Sequence, residues 1–416
     1  MEKKVARKKA TMVLLAGIIF NLSIGVLYAW SVIKTKLTSD LSSGGFEWTS
    51  KEAGLPYTVA IVFFALGLLI GGRIQDKIGP RLVVTIGGAL TGLGLILSSF
   101  VGNNVVGITI CFGIITGLGI GFGYGSVTPP ALKWFHPSKK GLISGLIVGG
   151  FGIAAVYFAP LANALLNNFG IEKTFMYLGI IVMVFSIPIA QLVQNPPADY
   201  MPATPKNFKE STTSSAITGD MTWTEMLKTK RFYLLFVMFL ISSSVGLMII
   251  GNISKIANIQ IGISDTALLA LLVSFLAITN TLGRVLGGLM SDKIGAINAL
   301  FVVFTLQVIN MVGFLFYDNL FMLIIGIILV GFNYGTLLSV FPSITATQYG
   351  LKNYGMNYGI LYLGWGLAGV VAPMTADFIY DSAGNFDNAY IISAVMMGAM
   401  VIVNMMLRSN LATLKK

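Results

Sequence analysis

The sequence predicts an all-α membrane protein with twelve transmembrane helices in two pseudo-symmetric six-helix halves. Of its 416 residues, 55% are hydrophobic and only 10% are charged, and the mean hydropathy is +0.83. That composition is too apolar for water-soluble cores. Twelve apolar segments follow one another, each long enough to cross about 30 Å of hydrocarbon. A loop motif occurs twice, once in each half of the chain.

The twelve segments are predicted from length and hydropathy. They lie at about residues 12–34, 53–72, 82–100, 105–128, 141–166, 174–193, 232–254, 266–290, 297–316, 320–345, 354–377 and 388–408. The first six form a predicted amino-terminal half, 1–193, and the last six a carboxyl-terminal half, 230–416. Residues 194–229 between them are rich in Pro, Ser, Thr and Lys, which indicates a cytoplasmic linker.

Positive charge follows the order of the loops. The net charge is +11, and most of the 27 basic residues fall at the two termini, in the linker, or in the loops after segments 2, 4, 8 and 10. The positive-inside rule then predicts a multi-pass protein of the cell membrane, such as a bacterial inner membrane, with both termini in the cytoplasm. The charge is therefore explained by topology, and no nucleic-acid partner is expected.

The repeated motif follows segments 2 and 8. It reads GGRIQDKIGPR from Gly71 to Arg81 and GGLMSDKIG from Gly287 to Gly295. An aspartate here can accept hydrogen bonds from amide groups at the start of a neighbouring helix, while basic residues such as Arg81 hold the loop at the anionic membrane surface. We expect Asp76, Asp292 and Arg81 to act in conformational gating; the alternative is a short polar turn. The repeat also implies two halves with the substrate at their interface, near the midplane.

Small residues recur every four positions in segments 4 and 5, a spacing that favours close helix packing. No predicted strand precedes these glycines, so they do not indicate a dinucleotide site. The chain has one cysteine, Cys111, and one histidine, His136, which leaves no basis for a metal site. No cofactor is expected. The glycines are Gly113, Gly117, Gly121, Gly125, Gly141, Gly145 and Gly149.

Arg284 is the only charged residue well inside an apolar segment. Such a residue costs at least several kcal/mol unless it is paired or faces a water-filled cavity. All acidic residues lie in loops or at segment ends, so the sequence offers Arg284 no partner and an external anion is expected. The alternative is that its side chain snorkels or caps backbone carbonyls. Asn280, one turn earlier on the same face, can accept from the guanidinium or donate to a carboxylate; otherwise it serves in packing.

Aromatic residues with a polar end also fall inside the segments. A tyrosine can stack on a small organic solute while its hydroxyl donates to an oxygen atom. The alternative is that these rings face lipid or other helices. The candidates for substrate binding are Tyr28, Tyr124 and Tyr334 in segments 1, 4 and 10, and Tyr362, beside Trp365, in segment 11.

Three stretches carry a resemblance to a known family. They are YAWSVIKTKL (28–37), GLGIGFGYGSVTPPALKWFHPSKKGLISGLIVGGFG (117–152) and FPSITATQYGLKNYGMNYG (341–359). The paired loops resemble the major facilitator superfamily, and these stretches resemble its oxalate/formate exchanger branch, which includes bacterial lactate carriers. The resemblance implies that Tyr28, Tyr124 and Tyr334 stand where the family lines its cavity with aromatic side chains.

The same resemblance bears on the charge of the substrate. The dicarboxylate exchanger of the family has an arginine in segment 8, which Arg284 matches, and a lysine in segment 11, whose position falls on Leu361. The absence of this second cation favours a substrate with one carboxylate. Related animal monocarboxylate carriers have an aspartate at the place of Asn280, and no Asp or Glu lies inside a segment here to carry a proton.

These inferences predict a secondary transporter of small monocarboxylates, of the lactate, pyruvate or formate type, that works by alternating access. Proton symport and anion exchange both stay open. The expected partners are a small organic anion, with protons as a further candidate, and the lipid bilayer; a monomer is expected. One alternative is an oxalate/formate-type dicarboxylate exchanger, and another is an anion sensor without transport. No catalytic constellation is present, so an enzyme is not expected.

Overall fold

The computed structural model describes residues 3–204 and 219–413, and within those ranges the secondary structure is helical, without a strand. Short 3₁₀ and π-helical turns join some of the α-helices. The α-helices are α1 Lys3–Ile24, α2 Trp30–Leu37, α3 Ser50–Ile78, α4 Pro80–Ser98, α5 Val105–Ile108, α6 Gly117–Trp134, α7 Lys140–Ala190, α8 Trp223–Leu227, α9 Lys230–Ile261, α10 Thr266–Ile294, α11 Ala296–Phe314, α12 Leu320–Gln348, α13 Tyr354–Ala383 and α14 Asp387–Thr413.

Eleven helical runs in the described residues are long and apolar enough to cross a membrane. One of them, Pro137–Ala190, has 54 residues, far more than one crossing needs. Gly170 interrupts it with φ 77° and ψ 179°, a conformation outside the helical region. The run therefore provides two segments, as the sequence predicts, and the all-helical membrane fold class is confirmed.

The helices are longer than the apolar segments because polar residues extend and cap them. In α3, the Thr49 side chain accepts from the Glu52 N–H while Glu52 accepts from the Thr49 N–H, and the helix ends at Gly79, which has φ 92°. α10 ends in the same way at Gly295, with φ 88°. Asp76 and Asp292 consequently lie in the last turns of α3 and α10, and their prediction as loop residues is wrong.

The first predicted segment is not one continuous helix. α1 ends at Ile24, a 3₁₀ turn covers Val26–Ala29, and α2 begins at Trp30. Gly25 stands at the break with ψ 28°, and a Cβ atom there would overlap the side chain of Ala154. The glycine thus permits both a weakened helix and a close approach to α7. The break places Tyr28 on a short turn.

The chain divides into two compact units. The first, called unit 1, contains Met1–Phe135, Gly150–Pro202 and Asn353–Gly366; the second, unit 2, contains His136–Gly149, Ala203–Lys352 and Leu367–Lys416. The first turns of α7 thus pack within unit 2, and the first half of α13 packs within unit 1. The predicted division at residues 193 and 230 stays a prediction.

The predicted linker, 194–229, lies partly outside the described residues, which omit 205–218. At its beginning, the Trp134 indole donates to the Gln194 carbonyl at 2.8 Å within unit 1. At its end, the Asp220 carboxylate accepts from the N–H groups of Leu351 and Lys352 at 2.9 and 3.0 Å within unit 2. Both described ends of the linker are therefore held by hydrogen bonds.

The glycine series pack as the sequence predicts. A Cβ atom on Gly113, Gly117, Gly121 or Gly125 would meet α3, with atoms of Val59, Ala60, Phe64 and Leu68 nearest in turn. A Cβ on Gly141, Gly145 or Gly149 would meet α10 at Gly288, Arg284 and Val285. Each series brings one helix against another within one unit, which confirms the helix-packing interpretation.

Candidate functional site

Arg284 is buried in unit 2, with 2% of its surface exposed. Its Nε donates to Asn280 Oδ1 at 3.1 Å, and its Nη1 donates to the Val148 carbonyl oxygen at 2.7 Å. The expectation that the protein supplies no partner for Arg284 is therefore wrong. The contact with the Val148 carbonyl agrees with the alternative that the Arg284 side chain caps a backbone carbonyl. The Asn280 and Val148 acceptors are both neutral oxygen atoms, and they orient the guanidinium.

Of the roles that the sequence leaves open for Asn280, the structure shows acceptance of a hydrogen bond from the guanidinium. The two residues stand one turn apart on α10, so the amide oxygen reaches Nε directly. Val148 lies on α7, in the segment His136–Gly149 that belongs to unit 2. One acceptor thus comes from the same helix and the other from a second helix, which fixes the guanidinium from two directions.

Two glycines allow neighbouring helices to pack closely against the α10 backbone around Arg284. A Cβ atom on Gly145 of α7 would overlap the Arg284 carbonyl oxygen. A Cβ on Gly335 of α12 would overlap the Asn280 carbonyl oxygen and approach the Arg284 N–H at 3.0 Å. Because only a glycine tolerates such approaches, α10 is held close to α7 and α12 at the level of the arginine.

The aromatic candidates of unit 1 come together around Phe64. Its ring centroid lies 5.3 Å from that of Tyr124, 5.6 Å from Tyr362 and 5.4 Å from Trp365. Phe151 packs on both Phe64 and Tyr124, and Tyr28 reaches Phe151 at 5.5 Å. We call this set the aromatic cluster: Tyr28, Phe64, Tyr124, Phe151, Tyr362 and Trp365.

Tyr334 is placed elsewhere, in unit 2. It is 5% exposed, its ring packs on the backbone of Gly246, and it lines a cavity of about 10 Å³ together with Asn333 and Gln307. The Asn333 amide donates to Gln307 Oε1 at 2.7 Å. This cavity has room for about one water molecule and is too small for a carboxylic acid.

The two motif aspartates make the same contacts. Asp76 accepts from the N–H groups of Gly355 and Met356 at 3.0 and 2.9 Å, at the start of α13. Asp292 accepts from Gly141 and Leu142 at 2.7 and 2.8 Å, at the start of α7. The predicted contact with a neighbouring helix amino terminus is confirmed for both. Arg81 lies exposed in the first turn of α4.

Several contributors were missed in the sequence. Phe64 and Phe151 complete the aromatic cluster. In the sequence they look like any other phenylalanine of an apolar segment, and only the structure shows that each packs beside a glycine of a neighbouring segment. The Val148 carbonyl has no signature at all, since every residue carries one. Leu361, the position where the resemblance expects a lysine, is fully buried in α13. His136 caps the turn that precedes α7 by accepting from the Ser138 N–H at 3.3 Å.

A helical membrane protein with repeated helix-end carboxylates and one buried arginine has the features of a polytopic carrier. The chain belongs to the Major Facilitator Superfamily, whose family model matches residues 10–320 and 302–415. The protein is therefore a membrane transporter of this superfamily, with the membrane and a small organic solute as its partners.

Individual relatives are more distant. The chain is 29% identical to the uncharacterized MFS-type transporter YhjX of Escherichia coli, over 86% of this chain and 85% of that protein. It is 26% identical to the oxalate:formate antiporter of Oxalobacter formigenes, covering 92% and 87%. It is 24% identical to monocarboxylate transporter 13 of Rattus norvegicus, covering 90% and 82%. These similarities confirm the resemblance to the exchanger branch.

Among solved structures, the chain is similar to the FucP transporter crystallised in the outward conformation. The TM-score is 0.69 with 13% sequence identity, over 95% of this chain and 99% of that one. At this identity the likeness concerns the fold alone, and it agrees with the major facilitator fold.

Proposed function

We propose that the protein carries small monocarboxylates, of the lactate, pyruvate or formate type, by alternating access, and that Arg284 receives the carboxylate. The observation that carries this proposal is a buried guanidinium that is oriented by hydrogen bonds to Asn280 Oδ1 and to the Val148 carbonyl oxygen. A planar, permanently charged fork held in this way suits a carboxylate, which accepts two parallel hydrogen bonds. The antiporter and the monocarboxylate transporter among the relatives support an organic anion as the substrate.

Charge compensation provides the mechanism. A buried cation resists further dehydration, whereas a bound carboxylate neutralises it, so the loaded carrier can change its conformation more readily than the empty one. Asn280 holds the guanidinium in place and is also able to donate its amide to the substrate. Four tyrosines are proposed to contact the substrate during the transport cycle. Three of them, Tyr28, Tyr124 and Tyr362, belong to the aromatic cluster, and the fourth is Tyr334.

The coupling is proposed to be proton symport or anion exchange. Under proton symport, the proton travels with the substrate acid or through the Arg284 site, because no Asp or Glu lies inside a predicted segment. Asp76, Asp292 and Arg81 are proposed to set the balance between conformations without touching the substrate. We further propose a monomer with both termini in the cytoplasm and without enzymatic activity.

A dicarboxylate exchanger is the second candidate, because the oxalate:formate antiporter aligns over most of the chain. The experiment is uptake of labelled lactate, pyruvate, formate and oxalate into proteoliposomes, with and without a pH gradient or an internal counter-anion. Monocarboxylate uptake supports the proposal, and its dependence on the gradient or the counter-anion identifies the coupling. Uptake of oxalate alone favours the second candidate, and binding without uptake of any acid favours a sensor.

A further inference from the structure

A cavity of about 280 Å³ lies at the beginning of α9 in unit 2, apart from Arg284 and Asn280. Its polar lining is Thr229, Lys230, Arg231 and Tyr349, and its apolar lining is Met221, Leu234 and Leu407. The proposed transport function uses none of these residues. Lys230 is exposed and Arg231 is half-buried, so two cations border a cavity that also has apolar walls.

The polar side of the cavity carries positive charge. Thr229 caps α9 by accepting from the Phe232 N–H at 3.3 Å, which marks this point as a helix amino terminus with its partial positive charge. Arg231 Nη1 donates to Gln348 Oε1, and this neutral acceptor holds the guanidinium without cancelling its charge. The cavity therefore favours an anion, because the amino terminus of α9, the Lys230 ammonium and the Arg231 guanidinium are all positive.

Tyr349 supplies an independent sign of a ligand. Its side chain is 1% exposed, and its hydroxyl lies beside Thr229 and Arg231 without a partner that meets hydrogen-bond geometry among the described residues. Burial raises the pKa of Tyr349 to about 12, so the phenol keeps its proton at neutral pH and can donate it. A buried donor without an acceptor costs free energy that a bound oxygen would recover.

We infer that this cavity binds a phosphate group, held by Lys230, Arg231 and the Tyr349 hydroxyl. A phosphate offers several acceptor oxygens to donors of different geometry, and guanidinium and ammonium groups both suit it. The group can come from the headgroup of an anionic lipid or from free phosphate. The apolar walls formed by Met221, Leu234 and Leu407 favour the lipid, because they suit the glycerol and first methylene groups that follow a headgroup phosphate.

The test is native mass spectrometry of the full-length protein with added phosphatidylglycerol, phosphatidylcholine or inorganic phosphate. The variants are Tyr349→Phe, which keeps the ring, Lys230→Gln and Arg231→Gln. Lys228→Gln is the matched control, because Lys228 is an exposed cation two residues away that does not line the cavity. Loss of one charge-assisted hydrogen bond should weaken phosphatidylglycerol binding on the order of tenfold. We expect this in each variant and not in the control.

Competition by inorganic phosphate at the same site would show that the phosphate itself is recognised, and retention of the lipid against it would assign the site to the headgroup. Tyr349→Phe guards against loss of folding, since it removes only one oxygen atom. Equal binding by the wild type and all three variants would overturn the inference. So would an equal effect of Lys228→Gln, or phosphatidylcholine bound as tightly as phosphatidylglycerol. None of these readouts depends on transport, so the site and the proposed function are tested separately.

Discussion

The Asp76 carboxylate accepts a hydrogen bond from the Gly355 N–H at 3.0 Å, although 279 residues separate them. Asp292 and Gly141 repeat this arrangement at 2.7 Å. In each pair the aspartate belongs to one predicted six-helix half and the helix start to the other. An anionic side chain at a helix amino terminus is favourable because it satisfies free N–H groups and the helix dipole.

The first prediction concerns these aspartates. Asp76→Asn and Asp292→Asn should each change the turnover rate by roughly tenfold, because a charge-assisted hydrogen bond between the halves is weakened. Equilibrium substrate binding should stay within about twofold of the wild type, because in the proposed role neither aspartate touches the substrate. Asp265→Asn is the control, since Asp265 caps α10 locally by accepting from the Ala267 N–H at 2.9 Å. Loss of binding with normal access to both sides of the membrane would contradict the gating role.

The second prediction concerns Arg284. Arg284→Ala should reduce uptake by more than about a hundredfold, because the substrate carboxylate loses its buried counter-charge. Arg284→Lys should also be weak, since an ammonium group lacks the planar fork that reaches both Asn280 and Val148. Correct insertion of both variants would be checked by gel filtration and thermal unfolding. Wild-type uptake by a folded Arg284→Ala protein would disprove the proposed role.

The third prediction concerns Asn280, whose Oδ1 accepts a hydrogen bond from Arg284 Nε at 3.1 Å. Asn280→Asp should raise KM for monocarboxylates at neutral pH by roughly tenfold, because an internal carboxylate would compensate Arg284 and compete with the substrate. Asn280→Leu, which removes the hydrogen bond without adding charge, separates this competition from loss of orientation. An unchanged KM in Asn280→Asp would show that the substrate does not bind at this guanidinium.

The fourth prediction compares two glycines one turn apart on α7. A Cβ on Gly145 would overlap the Arg284 carbonyl oxygen, whereas a Cβ on Gly149 would meet Val285 Cγ2 at an ordinary 3.5 Å. Gly145→Ala should therefore destabilise the protein by about 1–3 kcal/mol and impair uptake, while Gly149→Ala should be nearly neutral. Thermal unfolding in detergent and uptake in proteoliposomes measure the two effects. Equal behaviour of the two variants would mean that α7 and α10 can separate without consequence.

The fifth prediction tests the charge of the substrate. A dianion beside one fixed cation leaves a net negative charge in a low-dielectric site, which is costly unless a second cation or a proton compensates it. The wild type should therefore prefer monoanions over oxalate. Leu361→Lys should shift preference toward oxalate and weaken monoanion uptake, although the fully buried position makes a charged side chain costly there. Leu361→Met controls for shape.

Competition against a labelled monocarboxylate measures this preference. Stronger inhibition of the wild type by oxalate than by any monocarboxylate would contradict the charge argument. An equal shift in Leu361→Met and Leu361→Lys would assign the effect to packing instead of charge.

The membrane class, the twelve segments and the two aspartates that contact helix starts can all be predicted from the amino-acid sequence. Hydropathy reports these features directly because a lipid environment requires long apolar helices, and the repeated motif marks both carboxylates. It also placed Asn280 one turn from Arg284, where helical periodicity brings the two side chains into contact. The sequence analysis did not predict the break at Gly25 or the extension of α3 to Ile78, because hydropathy does not report caps or backbone angles.

Contacts between distant parts of the chain become visible in the folded structure alone. The Val148 carbonyl that holds Arg284 is 136 residues away and has no side-chain signature. Phe64 joins Tyr124 and Tyr362 into one cluster only because glycines let their helices approach, while Tyr334 packs in the other unit against Gly246. Segment order and helix periodicity are local properties, whereas these contacts depend on how helices pack, and several packings can satisfy the same apolar pattern.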